Sequence, residues 1–197
     1  MKVLYIDVET SGLWPKFHDI IEMSYILEVD DEVVYEGTQR LAPDPDRVDP
    51  KALEVNGISL EEALRGAPQS VAFNDFLGVL NRYINKYDRK DKAYIAGHNV
   101  IFDRDFLIEF FKKNNCPYFG SYFMYKIIDP LWLCHWLEYL GYLKLPNYKL
   151  GTLCEHFGIE LKEAHTAKAD IVATRQLIEA MKRRISWDER SSPPDQD

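Results

Sequence analysis

Val3-Leu4-Tyr5-Ile6-Asp7-Val8-Glu9 sets the centre of the fold. Val3 to Val8 carries apolar residues on both alternating faces, the pattern of a central strand covered on two sides. Asp7 and Glu9 stand two apart in it, so both carboxylates project from one face. Neighbouring carboxylates on a buried strand repel each other and lose hydration, and something cationic must compensate. Hard oxygen ligands suit magnesium or manganese. A strand end where two acids simply meet solvent accounts for the pair equally well, and these two residues alone leave the choice open.

Outward from this strand, residues 20–29 and 32–41 read as two more strands, joined by the polar turn Asp30-Asp31 into a hairpin. Pro43, Pro45 and Pro50 mark a loop over 43–50. Ser59-Leu60-Glu61-Glu62 has the form of a capping box that opens a short helix. Val71 to Tyr87 repeats with helical period through Phe73, Phe76, Leu77, Leu80 and Ile84. A short strand over Ala93–Ala96 runs into Gly97-His98-Asn99, and a helix follows from Ile101 to Lys113. Tyr125–Ile128 reads as a strand, with Pro130 in the first turn of the next helix. Two further helices fit 150–157 and 166–185. The order is a three-strand opening and then alternating helix and strand: an α/β fold with a mixed sheet flanked by helices. One domain over 1–185 is expected, with 186–197 a polar, disordered tail around Pro193-Pro194.

The chain has 197 residues, 46% hydrophobic and 28% charged, as in ordinary globular proteins. The opening apolar run is too short for a signal segment, and no stretch approaches the roughly 18 apolar residues of a membrane span. A cytoplasmic location without membrane attachment is expected. Cys116, Cys134 and Cys154 are scattered and odd in number, which argues against a disulfide framework. Cys134-His135 and Cys154-x-His156 lack the paired spacing of structural zinc, so packed free thiols are the better reading. The net charge of −8 argues against a general duplex-binding surface. It suits an enzyme that gathers carboxylates around metal ions and touches only a strand end. The basic groups Lys112-Lys113, Lys182-Arg183-Arg184 and Lys86 through Lys92 read first as solvated helix ends.

Three more residues are out of place. Asp103 heads the helical face Asp103, Phe106, Leu107, Phe110, Phe111; on its own it reads as a first-turn carboxylate favouring the helix dipole. Asp170 shares a face with Ala167, Thr174, Leu177, Ile178 and Met181, where no basic residue could offset it, and there a ligand role is the better account. His165 precedes Asp170 by five. The two would lie about 140° apart on one continuous helix, so a shared site needs His165 on the loop or first turn. A histidine there is movable and suited to act as a base; alone it would pass for a surface residue.

Taken together and in this order, these residues resemble the DEDDh exonucleases, which include ribonuclease T, oligoribonucleases and the proofreading subunits of bacterial replicative polymerases. The matching motifs are Asp7-Val8-Glu9-Thr10-Ser11-Gly12-Leu13, Gly97-His98-Asn99-Val100-Ile101-Phe102-Asp103 and His165-Thr166-Ala167-Lys168-Ala169-Asp170. Tyr148-Lys149-Leu150-Gly151-Thr152-Leu153 and Phe157-Gly158-Ile159 match the lead into the third motif. The resemblance spans roughly residues 2–180, and the histidine separates it from the tyrosine-bearing sister group.

The resemblance implies an RNase H-like fold and two-metal hydrolysis of phosphodiester bonds from the 3′ end, releasing nucleoside 5′-monophosphates. Asp7, Glu9, Asp103 and Asp170 would hold two Mg2+ or Mn2+ ions, and His165 would be the catalytic base, consistent with imidazole chemistry near neutral pH. Thr10 would meet the terminal 3′ hydroxyl, Leu13 would wedge beside the last base, Ile58 in Asn56-Gly57-Ile58 would border the terminal nucleotide, and Asn99 would flank the site. Ordinary packing explains Leu13 and Ile58 as well. Single-stranded DNA or frayed 3′ ends are the expected substrate, with short RNA as the alternative, and a polymerase partner or a homodimer is compatible with either. A non-catalytic RNase H-like binding module would be expected to lack a ligand, and all five positions are filled. A serine or cysteine hydrolase has no Gly-x-Ser-x-Gly turn to rest on.

Overall fold

The computed structural model describes residues 1–160 and 166–190, the last six of these as backbone only. Its centre is β1 (Lys2–Thr10), the strand read from the opening stretch. β2 (Ile20–Val29) and β3 (Glu32–Ala42) form the expected hairpin, and the turn residues Asp30 and Asp31 both take positive φ, 50° and 68°. Asp tolerates that region better than most residues, which makes the pair a workable two-residue turn.

The segment read as a loop over 43–50 holds more structure than expected. A 3-10 turn occupies Pro45–Arg47, and a helix, α1 (Pro50–Asn56), starts on the last proline. Asp49 caps it by accepting from the Lys51 N–H, and a proline at the first helical position lacks only an N–H that would go unused. α2 (Leu60–Leu64) carries the expected capping box between Ser59 and Glu62. β4 (Ala67–Pro68) adds two residues beside β3. α3 (Gln69–Tyr83) begins two residues before Val71 and ends four before Tyr87. Ile84 turns extended, and the chain beyond it is held where the Asn85 N–H donates to Asp91 at 2.8 Å.

β5 (Ala93–Ala96) and α4 (Ile101–Lys113) lie where the sequence put them. A helical turn, α5 (Phe119–Tyr122), precedes β6 (Phe123–Ile128). α6 (Pro130–Tyr139) and α7 (Leu150–Phe157) follow. The last helix, α8 (Ala167–Arg190), runs five residues past the boundary expected at 185; residues 191–197 of the expected tail lie outside the described residues.

The sheet order is β4-β3-β2-β1-β5-β6, with β1, β2 and β3 antiparallel and β5 and β6 parallel to β1. Alternation along β1 separates two packed layers. Leu4, Ile6 and Val8 point into the large core with Phe73, Phe76, Phe106 and Phe111 of α3 and α4. Val3 and Tyr5 point the other way, against Ile171 and Ile178 of α8. Cys134, Leu153, Leu177 and Met181 join α6, α7 and α8 into a further cluster on that side. Among the described residues no helix is long and apolar enough to cross a membrane.

Candidate active site

β1 outruns its parallel neighbour. Its pairing with β5 ends at Tyr5 opposite Ala96, whereas its pairing with β2 continues to Thr10. From Ile6 onward the side of β1 that faced β5 is open, and the chain leaving β5 turns across the gap. Gly97 is needed in that turn: a Cβ there would stand 2.9 Å from the Ile6 carbonyl oxygen. Asn99 takes φ 59°, a conformation asparagine adopts more readily than most residues, and it is exposed.

The gap lets an acid from the opposite layer reach the strand. α4 packs on the Leu4–Ile6–Val8 face, yet the Asp103 carboxylate accepts the Val8 backbone N–H at 2.9 Å. Asp103 is 5% exposed. Asp7 and Glu9 follow Val3 and Tyr5 in the alternation that faces α8, and both are half-buried. Asp170 lies in the first turn of α8, half-buried beside the fully packed Ala167 and Ile171. Four of the five expected site residues thus converge on the end of β1. His165 lies outside the described residues.

The crowding shifts the charges. Burial raises the Asp7 carboxyl well above the usual carboxylate range, and Asp103, Glu9, Asp170 and Glu22 each push it further. Asp103 is pushed up to about 7, chiefly by burial; the Val8 N–H pulls it down, while Glu9 and Asp129 raise it. Glu9 is raised by burial, then by Glu22 and Asp170. Among the described residues no lysine or arginine forms an ion pair with Asp7, Glu9 or Asp103. Hard oxygen donors, partly buried and clustered, form a donor set that fits divalent magnesium or manganese.

Two acids at this site went unflagged in the sequence. Glu22 lies directly across from Glu9 in the β1–β2 register and pairs with Arg40 at 3.0 Å. The hairpin pattern could have revealed it, had the register been worked out residue by residue. Asp129 caps α6 through the Leu131 N–H at 3.0 Å, and its other oxygen accepts the Val100 N–H at 3.1 Å. It therefore ties the start of α6 to the turn that carries Asn99 and leads to Asp103.

The residues expected to meet substrate are dispersed around the same end. Thr10 is buried, its hydroxyl donating to the Gly12 carbonyl at 2.8 Å and its own carbonyl accepting from the Asn56 side chain at 3.0 Å. Ile58 packs with Ile21, Leu53 and Ala63. Leu13 is 71% exposed. Cys134 and Cys154 are buried, and burial pushes both thiols up to about 11, unfavourable for the thiolate a zinc site requires.

A second acidic group exists. Carboxylate oxygens of Glu28, Asp31 and Glu179 lie within 4.8 Å of one another near the far end of β2. Glu28 accepts two hydrogen-bond-length contacts from Arg175, at 2.7 and 2.6 Å, and Asp31 meets Lys182 at 2.8 Å. The protein's own cations already answer this cluster.

Comparison with known proteins gives the family of the chain. The family described as exonuclease, that of ribonuclease T, matches residues 4–178. The DNA polymerase III PolC-type of Halalkalibacterium halodurans is 30% identical over 173 residues, covering 87% of this chain and 11% of that protein. The chain therefore spans about a tenth of the length of such relatives. Ribonuclease T of Actinobacillus pleuropneumoniae is 27% identical over 194 residues, covering 91% of this chain and 83% of that protein. Among solved structures, E. coli exonuclease I in complex with a dT13 oligonucleotide shares the fold with a TM-score of 0.72 and 20% identity, over 95% of this chain and 43% of that one. Its complex with a dA16 oligonucleotide gives 0.76 and 21%, over 94% and 42%. With the family spanning nearly the whole chain, from a strand bearing Asp7 and Glu9 to a helix bearing Asp170, this protein belongs to the DEDD-type 3′–5′ exonucleases of the RNase H-like fold.

Proposed function

We propose that the protein removes nucleotides one at a time from the 3′ end of single-stranded DNA or frayed DNA ends, releasing nucleoside 5′-monophosphates. The observation that carries this reading is the gathering of Asp7, Glu9, Asp103 and Asp170 at the open end of β1, three of them raised by burial and mutual repulsion. Asp7, Glu9 and Asp170 would hold one Mg2+ or Mn2+ ion, and Asp7 with Asp103 a second. When bound, such a pair supplies the positive charge that favours both the attacking and the leaving oxygen in phosphodiester hydrolysis.

The chain's own groups do the rest. The Val8 N–H fixes one Asp103 oxygen, so that carboxylate is set in place before any ion arrives. His165 takes the proton of the attacking water, a task suited to a group that titrates near neutral pH. Thr10 meets the terminal 3′ hydroxyl, Leu13 lies against the last base, and Ile58 and Asn99 border the terminal nucleotide. Asn56 steadies the Thr10 backbone from α1. The overall negative charge keeps long non-specific contacts weak, which favours strand ends.

DNA is preferred because the PolC-type relatives are DNA polymerases and the structural neighbours hold DNA oligonucleotides. Short RNA is the second reading, favoured by ribonuclease T, which this chain matches over 83% of its length. Work beside a polymerase, in the cytoplasm, is part of this reading, and the PolC-type relatives support the polymerase setting. Digestion of 3′- and 5′-labelled single-stranded DNA and RNA with manganese tests the proposal. Stepwise release of labelled mononucleotide from the 3′ label, faster on DNA, is expected; internal cuts, release from the 5′ label or no cleavage would overturn it.

A further inference from the structure

The segment after β1 is a rigid turn built around one histidine. Gly12 sits so close to His18 that a Cβ would fall 2.2 Å from the ring. The Trp14 N–H donates to His18 Nδ1 at 3.0 Å, and the N–H groups of Phe17 and His18 return to the Trp14 carbonyl at 2.9 and 2.8 Å. The Phe17 ring meets the His18 ring edge-on, with centroids 5.1 Å apart. Both ends are tied down: Ser11 and Asp19 exchange hydrogen bonds, and Lys113 pairs with Asp19 at 2.8 Å. His18 is 8% exposed, yet this braced turn holds Trp14 at 72% exposure and Phe17 at 54%.

A turn this well fixed has no need of exposed aromatic side chains for its own stability. Apolar groups held rigidly toward solvent are the mark of a surface that meets something. Trp14 also walls a cavity of about 420 Å³, with Pro15 and Lys16 on its own side and Asp105, Ile108 and Glu109 of α4 opposite. The cavity is walled by the two segments that lead away from the carboxylate site: the turn that begins just after Glu9 and Thr10 of β1, and the face of α4 turned away from Asp103. Its acids are already answered, Asp105 by Arg104 at 2.8 Å and Glu109 by Lys112 at 2.7 Å. Lys16 supplies positive charge at the rim. A flat apolar wall beside a cation matches a nucleobase with its phosphate.

Resting on the exonuclease reading above, we propose that this cavity takes a nucleobase of the strand upstream of the terminal nucleotide. Trp14 stacks on the base, Lys16 meets its phosphate, and His18 is the positioning residue that holds Trp14 ready. The site sets how firmly a chain is held, not how its terminal bond is broken.

The test separates the two. Binding of a short 5′-labelled oligothymidine, with calcium in place of magnesium, is measured for the wild type, Trp14→Ala and Trp14→Phe. In parallel, turnover of the p-nitrophenyl ester of thymidine 5′-monophosphate, which has no upstream base, is followed with manganese. Trp14→Ala should weaken oligonucleotide binding about 5- to 100-fold, Trp14→Phe should restore most of it, and ester turnover should stay within about twofold. Unfolding temperatures should match the wild type, since Trp14 is exposed. Unchanged oligonucleotide binding, as expected if the turn meets a protein instead, would overturn the proposal; so would an equal loss on the ester. Trp14-dependent binding by a wild type that cleaves neither substrate would keep this site and remove the exonuclease reading.

Discussion

Two groups of carboxylates gather around the central strands, one toward each end, and they differ in what answers their charge. Glu28, Asp31 and Glu179 form the tighter group, and Arg175 and Lys182 reach into it. Asp7, Glu9 and Asp103, with Asp170, form the looser one, and no lysine or arginine among the described residues pairs with the first three. Closeness of acids alone therefore does not single out the site proposed here for a metal. Our proposal rests instead on the raised carboxyls of Asp7, Glu9 and Asp103, which no lysine or arginine among the described residues pairs with, a cost that a bound cation would offset.

The contrast can be broken most sharply by mutation. Asp7→Asn should lower kcat in magnesium by about 10²–10³-fold or more, whereas Glu28→Gln should leave kcat within about twofold; steady-state hydrolysis of labelled DNA reads both. His165→Ala should lower turnover by about 10²–10⁴-fold while metal binding, measured calorimetrically, is kept. Loss of metal would make His165 a ligand instead. Glu28→Ala should cost about 3–5 kcal/mol in denaturant unfolding, because it leaves Arg175 without its buried partner.

A smaller effect concerns pH. The folded state raises Asp103 from 3.8 to about 7, so it binds a proton that the unfolded chain has already released. Its contribution to stability is present below pH 4 and is lost as pH rises toward 7. Asp103→Asn keeps an oxygen for the Val8 N–H and removes the charge. It should therefore stabilise the metal-free protein at pH 8 by roughly 1–2 kcal/mol, with little effect at pH 4. A thermal melt at the two pH values checks it; equal effects at both would deny the buried charge. Lys182→Met should change stability least, within about 1 kcal/mol, since its pairs with Asp31 and Glu179 are solvent-exposed or partly so.

Much of this was written locally in the chain. The apolar strand broken by Asp7 and Glu9, the hairpin around Asp30-Asp31 and the helix Ile101–Lys113 depend on neighbouring residues, and period alone reveals them. Helix ends were less legible. α1 starts at Pro50 because Asp49 caps it, a local signal outweighed by the three prolines around it. α3 stops at Tyr83 although its apolar period continues, since Ile84 is drawn into an extended path toward Asp91.

What sequence reading misses is pairing across distance. Arg175 and Glu28 are 147 residues apart, and only the packing of α8 on β2 brings them together. Asp129 bridges Val100 and Leu131, a role visible only once β5 and β6 are adjacent. The same distance effect explains why Asp103 looked like an ordinary first-turn acid. Its importance comes from β5 ending where β1 goes on, which opens the way to the Val8 N–H.

We propose that metal ions bind at Asp7, Glu9 and Asp103 rather than at the ion-paired Glu28 cluster. Thermal unfolding at pH 8 during titration with magnesium, for the wild type, Asp7→Asn and Glu28→Gln, tests it most directly. Ion binding to the folded state should raise the unfolding temperature of the wild type and of Glu28→Gln, each from its own starting value, and leave Asp7→Asn nearly unmoved. Stabilisation that survives in Asp7→Asn and vanishes in Glu28→Gln would place the ions at the other cluster and contradict the account.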